Sequence, residues 1–191
     1  MLFIIHLKNC SISAPHARQK SYNTPMPICF PPVVDERTVF MVIGSMPGAA
    51  SLAAQAYYAH PRNLFWPCVL AAFSNGRTPK NYADKLSVLL ANGGGLWDAL
   101  SSCERAGSLD AHIRQAVPND FLSLFARYPA IKTLLFNGTA AHQYFVRAFG
   151  QLPGKTYLLL PSTSPANAAL SPQQKSALWV SALRKASQGL N

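Results

Sequence analysis

Three short apolar runs, at 39–43, 131–136 and 156–160, stop at Gly44, Asn137 and Pro161 and open into polar loops ahead of helices. That repeated design restricts the fold more than any other feature. Runs of five or six apolar, largely β-branched and aromatic residues predict strands buried on both faces. Strand, loop and helix in alternation predict a mostly parallel sheet with helices on both sides. In such a sheet the strand ends converge on one edge, where a ligand crevice lies. The three loops are 44–63, Asn137-Gly138-Thr139 and Pro161-Ser162-Thr163-Ser164-Pro165.

The helices follow from periodicity and end signals. Residues 63–73 carry Phe65, Trp66, Val69, Leu70 and Phe73 on one face, tolerate Pro67 in the first turn, and end before Gly76. A second helix is predicted at 81–91, closed by Asn92-Gly93-Gly94-Gly95, with a short strand or strand end at Leu96-Trp97-Asp98. Short helices are predicted at 109–115 and 120–128, and a longer one at 140–149. The last has a capping box, Ser171 with Gln174, and Pro172 in its first turn, and runs to about Lys185.

At 191 residues, 49% hydrophobic and 13% charged, the chain is expected to be one compact domain over 26–191. Residues 1–25 are basic and aperiodic, and read as a flexible extension or a mis-called start ahead of Met26. Seventeen Lys and Arg against seven Asp and Glu give +10, which favours a polyanionic partner. Cysteines at 10, 29, 68 and 103 have no C-x-x-C spacing, so neither a zinc site nor an iron–sulfur cluster is expected. Scattered thiols without a secretory signal point to a reducing cytoplasm. The apolar run at 2–7 is too short to span a membrane.

Chemistry concentrates in the first loop. Gly44-Ser45-Met46-Pro47-Gly48 is a tight turn, and Tyr57, Tyr58, His60, Arg62 and Asn63 fall within seven residues. Either tyrosine could stack on a planar ligand or simply pack; Phe136 could supply a second face. Asn137 offers donor and acceptor together, or serves as the left-handed residue of an Asn-Gly turn. Arg62 is a candidate phosphate clamp, and His60 is more readily structural. Ser162, Thr163 and Ser164 suit a backbone phosphate, or form a plain polar turn. Asp98 and Asp110, two of only seven acidic residues, are candidates for orienting groups in the site.

Gly44-Ser45-Met46-Pro47-Gly48, Ser51-Leu52, Tyr57 through Asn63 with Phe65-Trp66, Gly95-Leu96-Trp97-Asp98, Gly107 through Asp110, Asn137-Gly138 and Leu160 through Asn167 together resemble the hypoxanthine-DNA glycosylase branch of the uracil-DNA glycosylase superfamily. The resemblance runs from about Phe30 into the last helix. It implies a three-layer α/β/α fold on a four-stranded, mainly parallel sheet. It also implies a monofunctional enzyme, without cofactor or metal, that flips a deaminated base from single- or double-stranded DNA and hydrolyses its N-glycosidic bond. The enzyme is expected to act as a monomer beside the chromosome.

By the same resemblance Asn63 takes the catalytic position, since Met46 stands where most of the superfamily carries Asp or Asn. Gly44 to Gly48, Tyr57, Tyr58, His60, Phe136 and Asn137 are expected to form the base pocket. Arg62, Ser162, Thr163, Ser164 and Asn167 are expected on the DNA backbone. Leu160 replaces the histidine that opens the second loop of strong uracil enzymes, so uracil should be a poor substrate. Asn63 followed by Leu64-Phe65-Trp66 is also a favourable helix cap. No bulky residue precedes Leu170 in the 161–167 loop, so a wedge must come from elsewhere or flipping must rely on a weak inosine pair. The rivals are a glycosylase preferring uracil or xanthine, a non-catalytic nucleic-acid-binding module, and a hydrolase of free nucleosides.

Overall fold

Strand β1 (Phe40–Gly44) is buried along its whole length, and its side chains alternate between two cores. Phe40 and Val42 enter one, Met41 and Ile43 the other, as a two-residue period demands of a central strand. The computed structural model describes residues 28–76 and 78–190; the expectation for residues 1–25 lies outside them.

After β1 come helices α1 (Ala49–Ala54), α2 (Phe65–Phe73) and α3 (Tyr82–Ala91), strands β2 (Gly94–Asp98), β3 (Leu100–Glu104) and β4 (Arg114–Pro118), and helix α4 (Phe121–Arg127). Strand β5 (Thr133–Asn137), helix α5 (Thr139–Phe149), strand β6 (Thr156–Leu160) and helix α6 (Pro172–Ser187) complete the order. The sheet runs β2-β1-β5-β6 with every pairing parallel. On one face Phe65, Trp66, Val69, Leu89, Trp179 and Leu183 from α2, α3 and α6 cover Phe40, Val42 and Leu135. On the other, Phe121, Phe125 and Phe145 from α4 and α5 cover Met41, Ile43, Leu134 and Phe136. The three-layer expectation holds.

The strand order reverses beside β1. From β1 the chain proceeds to β2 on one side, whereas β5 leads to β6 on the other. Loops leaving β1 and β5 therefore part and leave a crevice between their carboxyl ends.

Three expectations are corrected. Residues 109–115 do not form a helix: Asp110–His112 makes one 3₁₀ turn and the chain then extends into β4, which pairs antiparallel with β3. Gly107 at φ +73° and Gln115 at φ +47° break any helical continuity. Helix α1 stands inside the region taken as loop; Ala-Ala-Ser-Leu-Ala-Ala has high helix propensity but too few apolar positions to show a stripe. Phe136 is fully buried against Phe145, Tyr157 and His142, because its register puts it on the α5 face of the sheet. It does not wall the crevice.

The capping box is borne out: Ser171 and Gln174 form it reciprocally at the start of α6. Asn81 and Asp120 also cap α3 and α4 through their side chains.

Candidate active site

At the reversal point lies a polar cleft of about 600 Å³, counted to its open mouth. Its floor is the turn Gly44 to Gly48, and its walls are Tyr57, Tyr58 and Asn63 on one side and Asn137 with Ser162 to Ser164 on the other. Asp98, Ser108 and Asp110 close the third side.

Register puts Asp98 beside Gly44 across the β1–β2 ladder. A Cβ on Gly44 would stand 2.2 Å from Asp98 Oδ1 and 3.2 Å from Tyr58 Oη. The glycine is therefore what lets a carboxylate and a phenol converge on the strand end. Gly44→Ala is expected to cost about 1–3 kcal/mol by overpacking, read as a lower midpoint of denaturant unfolding; an unchanged midpoint would contradict this packing.

Asp98 is 3% exposed. Burial pushes its carboxyl up to about 7, with nearby Arg105 pulling down and Asp110 adding to the rise. Its Oδ2 and the Tyr58 hydroxyl are buried and have no hydrogen-bond partner among the described residues. Burial, and secondarily the Asp98 charge, push the Tyr58 hydroxyl far above its usual range, so it remains a proton donor. Tyr58 also holds φ at +56°, a costly backbone state for a bulky residue. An uncommon conformation and two unpaired polar atoms thus meet at one point. Buried polar groups are nearly always paired, so such a pair marks a place where a ligand supplies the partners.

The tyrosine segment is held firmly. Tyr57 is 3% exposed and its hydroxyl donates to the carbonyls of Phe30 and Pro31, both at 3.2 Å. Trp66 Nε1 donates to the Tyr57 carbonyl at 2.8 Å, and the Tyr57 N–H donates to Tyr82 Oη at 3.0 Å. The Tyr58 ring lies against Phe65 with centroids 4.2 Å apart. The Tyr58 ring is therefore covered by Phe65 on one face, and Tyr57 is buried.

Asn63 stands just ahead of α2 and lines the cleft. Its Oδ1 accepts the Phe65 N–H at 2.9 Å, a bond to the first residue of α2, but the N-cap position itself falls on Leu64, not on Asn63 as the sequence suggested. That bond uses one lone pair and fixes the plane of the carboxamide, leaving a second lone pair and the amide hydrogens. The Leu64 N–H donates to the Thr163 carbonyl at 3.1 Å, tying this segment to the loop after β6.

Several predicted site residues are also tied into the structure. Thr163 is 1% exposed and exchanges two hydrogen bonds with the Asn137 carboxamide, at 2.8 and 2.9 Å, which lock the loops after β5 and β6 together while both residues line the cleft. His60 does not line the cleft; its Nδ1 accepts the Arg62 N–H at 3.1 Å and its carbonyl accepts the Asn63 N–H. The Met46 side chain is 5% exposed and packs with Leu100, Cys103 and Ile113. Arg62, Ser164 and Asn167 border a groove that adjoins the cleft along Thr163 and Ser164.

Arg105 was invisible in the sequence. Its side chain is 1% exposed, donates to the carbonyls of Met46 and Pro47, and lies 3.8 Å from Asp110. Asp110 in turn accepts from Ser45 Oγ at 2.6 Å. Together they clamp the first loop from the β3–β4 side. No signal could have found Arg105, because its partners lie 58 and 59 residues away in a separate loop. Among the described residues no cluster of three His, Cys, Asp or Glu is placed to hold a metal ion.

Comparison with known proteins agrees with this geometry. The family model of the uracil DNA glycosylase superfamily matches residues 31–186. A protein of Methanosarcina barkeri described as a hypoxanthine DNA glycosylase is 35% identical over 158 residues, 82% of this chain and 97% of the relative. A Methanosarcina acetivorans protein of the same description is 36% identical over 147 residues, 77% of this chain and 92% of its own length. The solution NMR structure of a candidate uracil DNA glycosylase from M. acetivorans superposes with a TM-score of 0.71 at 33% identity, covering 84% of this chain and 98% of that one.

Proposed function

The chain belongs to the uracil DNA glycosylase superfamily, and from that premise we propose that it is a DNA glycosylase that removes deaminated bases, hypoxanthine foremost, by hydrolysis of the N-glycosidic bond. One observation carries the discrimination against adenine: the Tyr58 hydroxyl and the Asp98 carboxylate, both buried at the strand end of Gly44, each with an oxygen that has no hydrogen-bond partner among the described residues.

Deamination changes the hydrogen-bonding edge of a purine. Adenine presents a lone pair at N1 and an amino group at C6. Hypoxanthine presents an N–H at N1 and a carbonyl at C6. An ionised Asp98 accepts from N1–H while the Tyr58 hydroxyl donates to O6. With adenine both contacts fail, leaving a carboxylate against a lone pair and a phenol against an amino group. A site built to hydrogen-bond its substrate rejects the mismatched analogue by factors on the order of 10⁴. The recognition is by edge, in place of the aromatic stacking expected of Tyr57 or Tyr58 with Phe136.

Asn63 supplies the hydrolytic geometry. Bond breaking leaves positive charge on the sugar and an electron pair on the departing purine nitrogen, so catalysis is chiefly positioning and electrostatics. A neutral carboxamide takes no proton at working pH. Its second lone pair accepts a hydrogen bond from water and aims that water at C1′. Water oxygen bonds to C1′, the C1′–N9 bond breaks, and the water proton ends on the released base or in solvent. The products are an abasic site and free hypoxanthine.

The partner is DNA, and duplex DNA is the substrate form proposed, bound by a monomer. Arg62 and Ser164 on the groove beside the cleft are proposed as phosphate contacts. Leu160, half-buried and packed against the core, cannot offer an imidazole to a uracil leaving group, which supports the preference for purines. Labelled duplexes carrying inosine, xanthine or uracil, treated with protein and then alkali, test the reading. Strand cleavage should be strongest at inosine; no cleavage at any lesion would sink it.

A further inference from the structure

Two groups of opposite charge are buried around the turn that floors the cleft. Asp98 lies at its start, beside Gly44, with an Oδ2 that has no hydrogen-bond partner among the described residues. Arg105 holds its middle: the side chain is 1% exposed and donates to the carbonyls of Met46 and Pro47. The guanidinium itself does not line the cleft. Its charge is poorly matched. Asp110 Oδ1 stands 3.8 Å from Nη1, outside hydrogen-bond reach, and already accepts Ser45 Oγ at 2.6 Å. Arg105 Nε has no hydrogen-bond partner among the described residues. A neutral amide could hold a carbonyl at a far smaller cost of desolvation, so clamping alone does not account for a buried cation.

We propose that Arg105 is a positioning residue for base excision, whose buried charge holds Asp98 as the carboxylate that reads the base. The role rests on the glycosylase reading above. Ionisable groups face Asp98 from several elements. Tyr57 and Tyr58 precede α2, Tyr82 opens α3, Cys29 precedes β1, Asp110 opens the 3₁₀ turn and Arg105 follows β3. Within that set Arg105 is the only cation, so no other member offsets the charge of the carboxylate. Burial pushes the Asp98 carboxyl up, Arg105 pulls it down, and Asp110 adds to the rise. One side chain thus sets both the shape of the Gly44 to Gly48 turn, through its two carbonyls, and the charge at the turn's first residue.

The test measures single-turnover excision from an inosine duplex at pH 6 and pH 8, beside carbon-13 NMR titration of the Asp98 carboxyl. Arg105→Gln and Arg105→Met remove the charge, and Arg105→Lys keeps it. Without the cation the carboxylate forms at higher pH, so the neutral variants should lose about five- to tenfold at pH 6 and only about twofold at pH 8. Their Asp98 titration should move upward. Arg105→Lys should follow the wild-type pH dependence, with the Asp98 midpoint near its wild-type position. In an Asp98→Asn background, Arg105→Gln should cost the same factor at both pH values. A purely structural clamp predicts equal losses at pH 6 and pH 8 and an unmoved titration. That result, or no loss at either pH, in a protein that excises hypoxanthine would overturn the role of Arg105 alone. Wild-type protein inactive at both pH values would instead overturn the glycosylase reading, and the role in excision with it.

Discussion

Asn63→Ala is expected to lower single-turnover release of hypoxanthine by about a hundred- to a thousandfold, the usual effect of removing one preorganised polar group from an active site. The fold should survive. Asn63 contributes one side-chain bond, from the Phe65 N–H, and losing one such hydrogen bond costs about 1 kcal/mol, roughly 2–4 °C of melting temperature in a chain of this size. The segment it stands in is independently tied by Leu64 to Thr163, by Trp66 to Tyr57 and by Asn63 N–H to His60. A catalytic role therefore predicts a loss of rate far larger than the loss of stability allows. Activity undiminished in Asn63→Ala would leave Asn63 with its bond to Phe65 alone and return the water-positioning role to another residue.

Asp98→Asn should move stability and activity in opposite directions. The carboxyl titrates near 7 in the folded protein because burial disfavours its charge, against about 4 in an unfolded chain. Between these values the native state holds a proton that the unfolded chain has released. The stabilisation is complete below about pH 4 and is lost as pH rises through 7, a decline on the order of 4 kcal/mol. The carboxamide does not titrate, so Asp98→Asn should flatten that decline and be relatively more stable at pH 8 than at pH 5. Excision runs the other way. Only the ionised carboxylate accepts N1–H without a competing proton, so the wild-type rate should climb between pH 6 and 8. Asp98→Asn should be about 10- to 100-fold slower at pH 8 and without that climb. Parallel pH profiles for the two proteins would remove Asp98 from base reading.

A buried acid whose Oδ2 has no hydrogen-bond partner among the described residues is costly to keep, and Gly44 shows that the backbone accommodates it. Sites that bind and react commonly retain such groups at the expense of stability. Tyr58, in the left-handed region with its hydroxyl sealed beside Asp98, belongs to the same arrangement.

How much of this was legible in the sequence depended on distance along the chain. The central strands showed as apolar runs because both faces of β1 and β5 are buried. The cap at Ser171 showed because its partner is three residues away. The β3–β4 hairpin did not show. Its register is interrupted twice, β4 is exposed throughout, and Pro118 is an unpromising strand residue. Phe136 was misplaced although its alternation with Leu135 was available, since nothing local says which face of a strand meets the crevice. Arg105 and the Asn137–Thr163 lock rest on partners 26 to 59 residues away and had to await the fold.

The most direct measurement is the identity of the free base released from two matched duplexes, one with inosine and one with adenine at the same position, read by mass spectrometry under single-turnover conditions. Edge recognition by Tyr58 and Asp98 with water held by Asn63 predicts free hypoxanthine from the first and no detectable adenine from the second. Comparable release of both bases, or of neither, would contradict it.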